Sequence, residues 1–293
     1  MHIQIIFFSM SRRAISILLL LISISVSGEQ KKTTFWRIED LNGKSHFLFG
    51  TIHVDDNRVT NFHKDIFDAL ANVDLFLNET DEISDISILF HEQPIIAEEL
   101  SEQELEKIKE LSYFHTMSYE NNLKMKPWLL ALIFNSPRPI TPYNQDNLLK
   151  SYALDKGLRV QGIATVNEHF RALDNISDEE QIAILKKVLA RSEKNRIDNY
   201  ESLIKTYLMM DVERILEIDQ KNTASIVPDK VWVKIKHNLL IKRNQLFFDR
   251  IQTRLKNNRL FIAVGASHLG GENGLLQQFR SRGFELVPLN SLN

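Results

Sequence analysis

Phe47-Leu48-Phe49-Gly50-Thr51-Ile52-His53 and Phe261-Ile262-Ala263-Val264-Gly265-Ala266-Ser267-His268 repeat one design at opposite ends of the chain. In each, an apolar run leads into Gly-x-x-His. Such runs are what strands buried on both faces of an α/β sheet require. Glycine frees the backbone to turn as it leaves the sheet. A histidine three residues on then projects from the strand's C-terminal end, where α/β sheets place their ligands. One such phrase describes a hydrogen-bonded structural histidine equally well. Two in matching contexts single out His53 and His268 as a pair.

Working outward, Thr33–Ile38 and Ser45–Phe49 flank Asn42-Gly43, a strong short hairpin signal, and predict an opening β-hairpin. Phe62, Ile66, Phe67 and Leu70 recur at helical spacing up to Asn72, and Val73–Leu77 predicts a buried strand with Glu79 and Asp81 at its exit. The middle of the chain is mostly helical. Ser101 and Glu104 make a capping box, Pro127 opens a helix, and Pro137, Pro139 and Pro142 force a loop. The stretch 146–155 predicts a helix closed by Gly157, Leu158–Ile163 a strand, and 178–220 a long helical region. Pro228 interrupts before a further helix to Lys256. The end reads strand (259–264), glycine-rich turn, helix (274–282) and strand (284–289). The expected fold is α/β (or α+β), a central mixed sheet from N- and C-terminal strands with a large helical insert packed on it.

The 293 residues carry a formal net charge of −2 and no cysteine. That balance leaves no footprint for nucleic acid. It also excludes disulfides, thiolate metal sites, a cysteine nucleophile and a lipoprotein anchor. Arg12-Arg13, the apolar run 14–26 and the small residues Ser25, Ser27 and Gly28 have the layout of a secretory signal peptide. We therefore expect a signal peptide at 1–28, a domain at 29–293 and a periplasmic or secreted protein with no stable membrane span after cleavage. An uncleaved membrane anchor is the alternative.

The phrase Phe47–Val54 resembles the opening motif of the TraB/GumN (TraB/PrgY/GumN, Tiki-like) family. Gly265-Ala266-Ser267-His268-Leu269-Gly270-Gly271-Glu272-Asn273-Gly274-Leu275-Leu276 resembles its closing motif. Phe76-Leu77-Asn78-Glu79-Thr80-Asp81, Lys126-Pro127-Trp128-Leu129 and Lys242-Arg243-Asn244 are similar to segments that recur between them. The resemblance spans nearly the whole mature chain in the right order. It implies an erythromycin-esterase/ChaN-like fold and a metal-dependent protease or peptidase, with manganese or cobalt as the metal. Zinc or iron also suits the ligand types. One departure stands out: where the family carries Gly-Leu-Glu-Thr, this chain has Gly162-Ile163-Ala164-Thr165, and Glu168 follows only later.

On this reading His53, His268 and Glu79 are the expected metal ligands, activating a water against a peptide or protein substrate. The proton acceptor is Glu79 itself, Glu272 or Asp81. Arg243 is the choice for stabilising the oxyanion or anchoring a substrate carboxylate, against an ordinary salt bridge. Asp55-Asp56 read either as acids orienting an imidazole or as a solvated loop pair. His63 reads as a surface or capping residue. His46, His91, His115, His169 and His237 stand in no comparable context. The competing function is a non-catalytic periplasmic peptide- or metal-binding protein, which the alanine at 164 would permit. A structural envelope protein is the third.

Overall fold

The computed structural model describes residues 31–293. The expected signal peptide, and residues 29 and 30 after it, lie outside the described residues.

Six strands form one sheet: β1 (Phe35–Glu39), β2 (Ser45–Thr51), β3 (Leu75–Thr80), β4 (Arg159–Ala164), β5 (Leu260–Gly265) and β6 (Glu285–Pro288). Their order is β4-β3-β5-β2-β1-β6. The β4–β3, β3–β5 and β5–β2 pairs are parallel, while β1 runs antiparallel to both β2 and β6. The sheet is therefore mixed, as expected. β4 enters it from mid-sequence and splits the helical insert in two.

The turn between β1 and β2 differs in detail from the two-residue turn that Asn-Gly suggests. Gly43 N donates to Asp40 O, Asp40 N donates to Lys44 O, and only Gly43 takes a positive φ, +75°. The loop is thus longer, with a single left-handed residue.

Strand periodicity accounts for the layers. Along β5, Leu260, Ile262 and Val264 join a core with Leu48, Leu77, Phe247 and Phe279, whereas Phe261 and Ala263 join one with Phe35, Phe49, Phe76 and Tyr207. Both faces are covered, so β5 must be apolar at every position. Helices Lys64–Leu70, Gln145–Asp155 and Glu193–Leu208 contribute to one face; Lys242–Leu255 and Leu275–Ser281 contribute to the other. The rest of the insert does not simply pack on the sheet. Helices Glu102–Phe114, Pro127–Asn135, Asp178–Leu189 and Asp229–Lys236 bury Ile108, Phe134, Leu185 and Val231 in a third core of their own. Among the described residues no helix is long and apolar enough to cross a membrane.

Candidate functional site

Strands β3, β5 and β2 lie side by side and parallel, so their C-terminal ends open at one edge. That arrangement brings Glu79, His268 and His53 together. His53 Nε2 lies 4.0 Å and His268 Nε2 3.7 Å from Glu79 Oε1. Gly265 sits among them: a Cβ there would stand 3.2 Å from Glu79 Oε1, 3.6 Å from His53 Nε2 and 3.7 Å from His268 Cδ2. The glycines of the two Gly-x-x-His phrases serve space rather than turning, and neither takes a positive φ. Gly50 lets Ala266 approach, since a Cβ there would meet its Cα at 3.0 Å. Gly265 keeps the centre of the cluster open.

Each imidazole is held from behind. His53 Nδ1 contacts Asp146 Oδ2 at 2.7 Å, and Thr51 Oγ1 donates to Asp146 Oδ1 at 2.8 Å. The neighbouring Gln145, fully buried, accepts from Ile52 N and Tyr207 Oη, which fixes the helix start against the exit of β2. His268 Nδ1 contacts Asn244 Oδ1 at 2.6 Å, while Asn244 Nδ2 donates to Asn273 O. That second bond fixes the amide, so His268 Nδ1 is the donor and Nε2 carries the lone pair. The carboxylate of Asp146 also places a proton on His53 Nδ1, and there it favours the doubly protonated ring. Both Nε2 atoms therefore face Glu79.

Glu79 is ionised. Burial alone would raise its pKa, but His268, Arg243, His53 and the Gly265 amide, 2.7 Å from Oε1, together hold it well below the carboxylate range. Arg243 Nη2 donates to Glu79 Oε2 at 2.7 Å. Arg243 is itself buried, lies over the Phe247 ring and has its other arm, Nη1, 2.5 Å from His169 Nδ1. A guanidinium only donates, so His169 Nδ1 accepts and its ring is neutral. Burial, then the charge of Arg243, lowers the His169 pKa to about 4. Burial lowers that of His268 to about 4, against the pull of Glu79. Asp146 raises that of His53 to about 10. The His53 ring is 60% exposed, so water screens part of that attraction.

A cavity of about 560 Å³ opens beside the cluster, with His53 and Asp219 on its wall. Asp219 Oδ2 accepts from Ser267 Oγ at 2.7 Å, and burial raises its pKa.

Of the expected site residues, His53, His268, Glu79 and Arg243 converge. Arg243 pairs with Glu79 itself, so its fork is occupied rather than free for a substrate carboxylate. Glu272 does not join them: it is exposed in the turn after His268 and lines a separate cleft with Glu213 and Arg280. Asp81 is exposed and spent on structure, accepting from Gly162 N at 2.9 Å. Ala164 is buried at the end of β4. Glu168 is drawn off by Arg250, with contacts of 2.6 and 2.7 Å, and bonds back to Thr165 N. Neither Asp55 nor Asp56 orients an imidazole. Asp55 Oδ2 accepts from Ile140 N and Thr141 N, and Asp56 caps the short helix Asn57–Thr60. His63 caps the next helix, accepting from Asp65 N.

Sequence reading missed Asp146, Asn244, His169 and Asp219. Asn244 directly follows Arg243 in a segment already singled out. Asp146 and Asp219 carry no local signal, because an acid in a first helical turn or on a helix face is ordinary, and His169 reads as one more lone histidine.

The donor types in the cluster, two imidazoles and one carboxylate, are ones a divalent cation takes, and a single Cβ would fill the gap between Glu79 Oε1, His53 Nε2 and the Cδ2 edge of His268. The cluster is open rather than closed. Among the described residues no group of three or more His, Cys, Asp or Glu is arranged so that it could hold a metal ion as it stands. With His53 Nε2 4.0 Å and His268 Nε2 3.7 Å from Glu79 Oε1, the two rings would need to close on the carboxylate for these three residues to hold an ion.

The family model described as the TraB/PrgY/gumN family matches residues 34–288. The chain belongs to that family. No curated protein matches it.

Proposed function

We propose that this TraB/PrgY/gumN family member is a divalent-metal-dependent hydrolase that cleaves peptide bonds, with His53, His268 and Glu79 holding the metal. The observation that carries this reading is the gap at Gly265, faced by Glu79 Oε1, His53 Nε2 and the Cδ2 edge of His268, with both Nε2 atoms within 4.0 Å of Oε1. Manganese or cobalt is the expected ion, with zinc or iron compatible. When bound, the ion supplies Lewis acidity and lowers the pKa of water towards about 7.

The chain's own residues then divide the remaining tasks. Asp146 and Asn244 fix the imidazoles through Nδ1, the outer contacts that set ring orientation and basicity. Arg243 keeps Glu79 ionised and occupies Oε2, leaving Oε1 towards the rings. His169 holds Arg243 from the other side. Since both oxygens of Glu79 are engaged, proton transfer falls to a different carboxyl. Asp219, on the cavity wall and near enough to His53 for their charges to interact, is the carboxyl we assign to take a proton from water and return it to the leaving amine. The N-terminal layout supports action in the periplasm or outside the cell.

A second reading, peptide or metal binding without turnover, draws on Ala164 and on the diversion of Glu168 to Arg250.

Calorimetric titration of the purified protein with manganese, cobalt, zinc and iron(II) tests the site. We expect one ion per chain in the wild type and none in the His53→Ala/His268→Ala variant; no binding by the wild type would overturn the metal reading. Peptide hydrolysis should fall to background in Glu79→Gln. In Asp219→Asn it should fall about 10²-fold or more, with metal affinity kept. A protein that binds the ion but cleaves nothing would favour the second reading.

A further inference from the structure

The cavity beside His53 is more informative about substrate than the cluster is. Its volume, about 560 Å³, lies within the ~300–1,000 Å³ of small-ligand sites. Most of its exposed wall area is apolar, with Leu132, Ile133, Pro137, Pro139, Leu203 and Ile226 contributing, and uncharged polar side chains, four asparagines included, stand among them. No lysine or arginine lines it. The two carboxyls that do are already engaged, Asp55 by two backbone amides and Asp219 by Ser267.

The rim is partly apolar as well: Leu132, which lines the cavity, is 59% exposed. The rim is also preformed. Three prolines stiffen its loop, and Asp55 Oδ2 ties it down through Ile140 N at 2.5 Å and Thr141 N at 2.6 Å. Asp55 lies two residues beyond His53, so one strand exit both presents the imidazole and fixes the rim. A preformed wall lowers the ordering cost of binding.

We propose that this cavity is the subsite for a bulky apolar side chain, leucine- or phenylalanine-sized, on an extended peptide whose scissile bond lies at the His53–Glu79–His268 cluster. The assignment of a peptide substrate rests on the function proposed above; the apolar preference rests on the cavity alone. An acidic side chain would meet two carboxylates and no lysine or arginine, with His53, at the cluster end of the wall, the group of positive charge near it. A small polar one would leave the apolar wall uncovered.

Binding and turnover test the two separately. Fluorescein-labelled Gly/Ser octapeptides carrying a central Leu-Leu, Ser-Ser, Lys-Lys or Glu-Glu pair are titrated by anisotropy against the full-length Glu79→Gln protein. We expect the Leu-Leu peptide to bind at least about tenfold more tightly than the other three, the scale on which apolar pockets discriminate. Leu132→Arg, at an exposed position that the fold tolerates, should erase that margin and improve the Glu-Glu peptide. Equal binding of all four, tighter Lys-Lys or Glu-Glu binding, or indifference to Leu132→Arg would overturn the subsite. In the manganese-loaded wild type, cleavage should follow the same order. Selective binding of Leu-Leu with no cleavage of any peptide would uphold the subsite and overturn the hydrolase reading. Cleavage without preference would do the reverse.

Discussion

Gly265 shows how much one missing side chain decides at the residue scale. Its φ of −51° suits any L-residue, so its backbone does not call for glycine. What excludes a larger residue is the gap between Glu79 Oε1 and the two imidazoles. Gly265→Ala should therefore fold normally, with its melting temperature within about 3 °C of the wild type, yet lose manganese affinity. We expect at least the ~10-fold that disturbing an outer contact costs a metal site, read by the same calorimetric titration. Unchanged affinity would place the ion elsewhere. Arg243 makes the complementary point. Removing it would leave Glu79 as a buried charge without its cation, an arrangement that costs several kcal/mol, so its ion pair is as much a condition of the site as the ligands are.

At the scale of elements, the helix Val166–Asp174 is among those that reading the sequence left out. It has a capping box: Thr165 N donates to Glu168 Oε2, and Glu168 N donates to Thr165 Oγ1. This helix carries His169 to Arg243. Thr165→Ala should cost about 1 kcal/mol, measured as a fall in the urea midpoint at unchanged slope. A midpoint equal to the wild type's would show that the Glu168–Arg250 pair alone fixes the helix. The longer helical run from Asp229 is also divided. Asp229–Lys236 buries Val231 and Ile235 in the helical core, and Lys242–Leu255 buries Phe247, Phe248 and Ile251 against the sheet. Between them, His237–Ile241 forms a π turn. The wider turn resets the phase of the helix, so that Arg243 and Asn244 face the cluster.

At the scale of the whole molecule, His46 couples the sheet to pH. It is fully buried at the start of β2, and its Nδ1 accepts from Leu260 N at the start of β5. Burial lowers its pKa from 6.5 to about 4, with Asp40, 3.9 Å from Nε2, opposing the shift. The unfolded chain takes up this proton near pH 6.5 and the folded chain only near 4. The contribution to stability, on the order of 3 kcal/mol, is thus present above pH 6.5 and is lost as the pH falls from 6.5 to 4. Urea unfolding at about pH 7.5 and about pH 5 should show this loss in the wild type and a smaller one in His46→Gln. An identical loss in both would assign the pH dependence to other groups. The sequence by itself determined the strands, most of the helices, the family and the convergence of His53, Glu79 and His268. Those features follow from local apolar periodicity and from strand ends, which a parallel sheet gathers at one edge. Only the tertiary structure decided that Asp146 and Asn244 aim the rings, that Arg243 serves Glu79, and that Glu272 and Asp81 stand aside. It alone placed Asp219 on an apolar cavity beside His53. Each of these depends on the angle and phase at which a helix docks, and those are set by packing between distant segments rather than by any local run of residues.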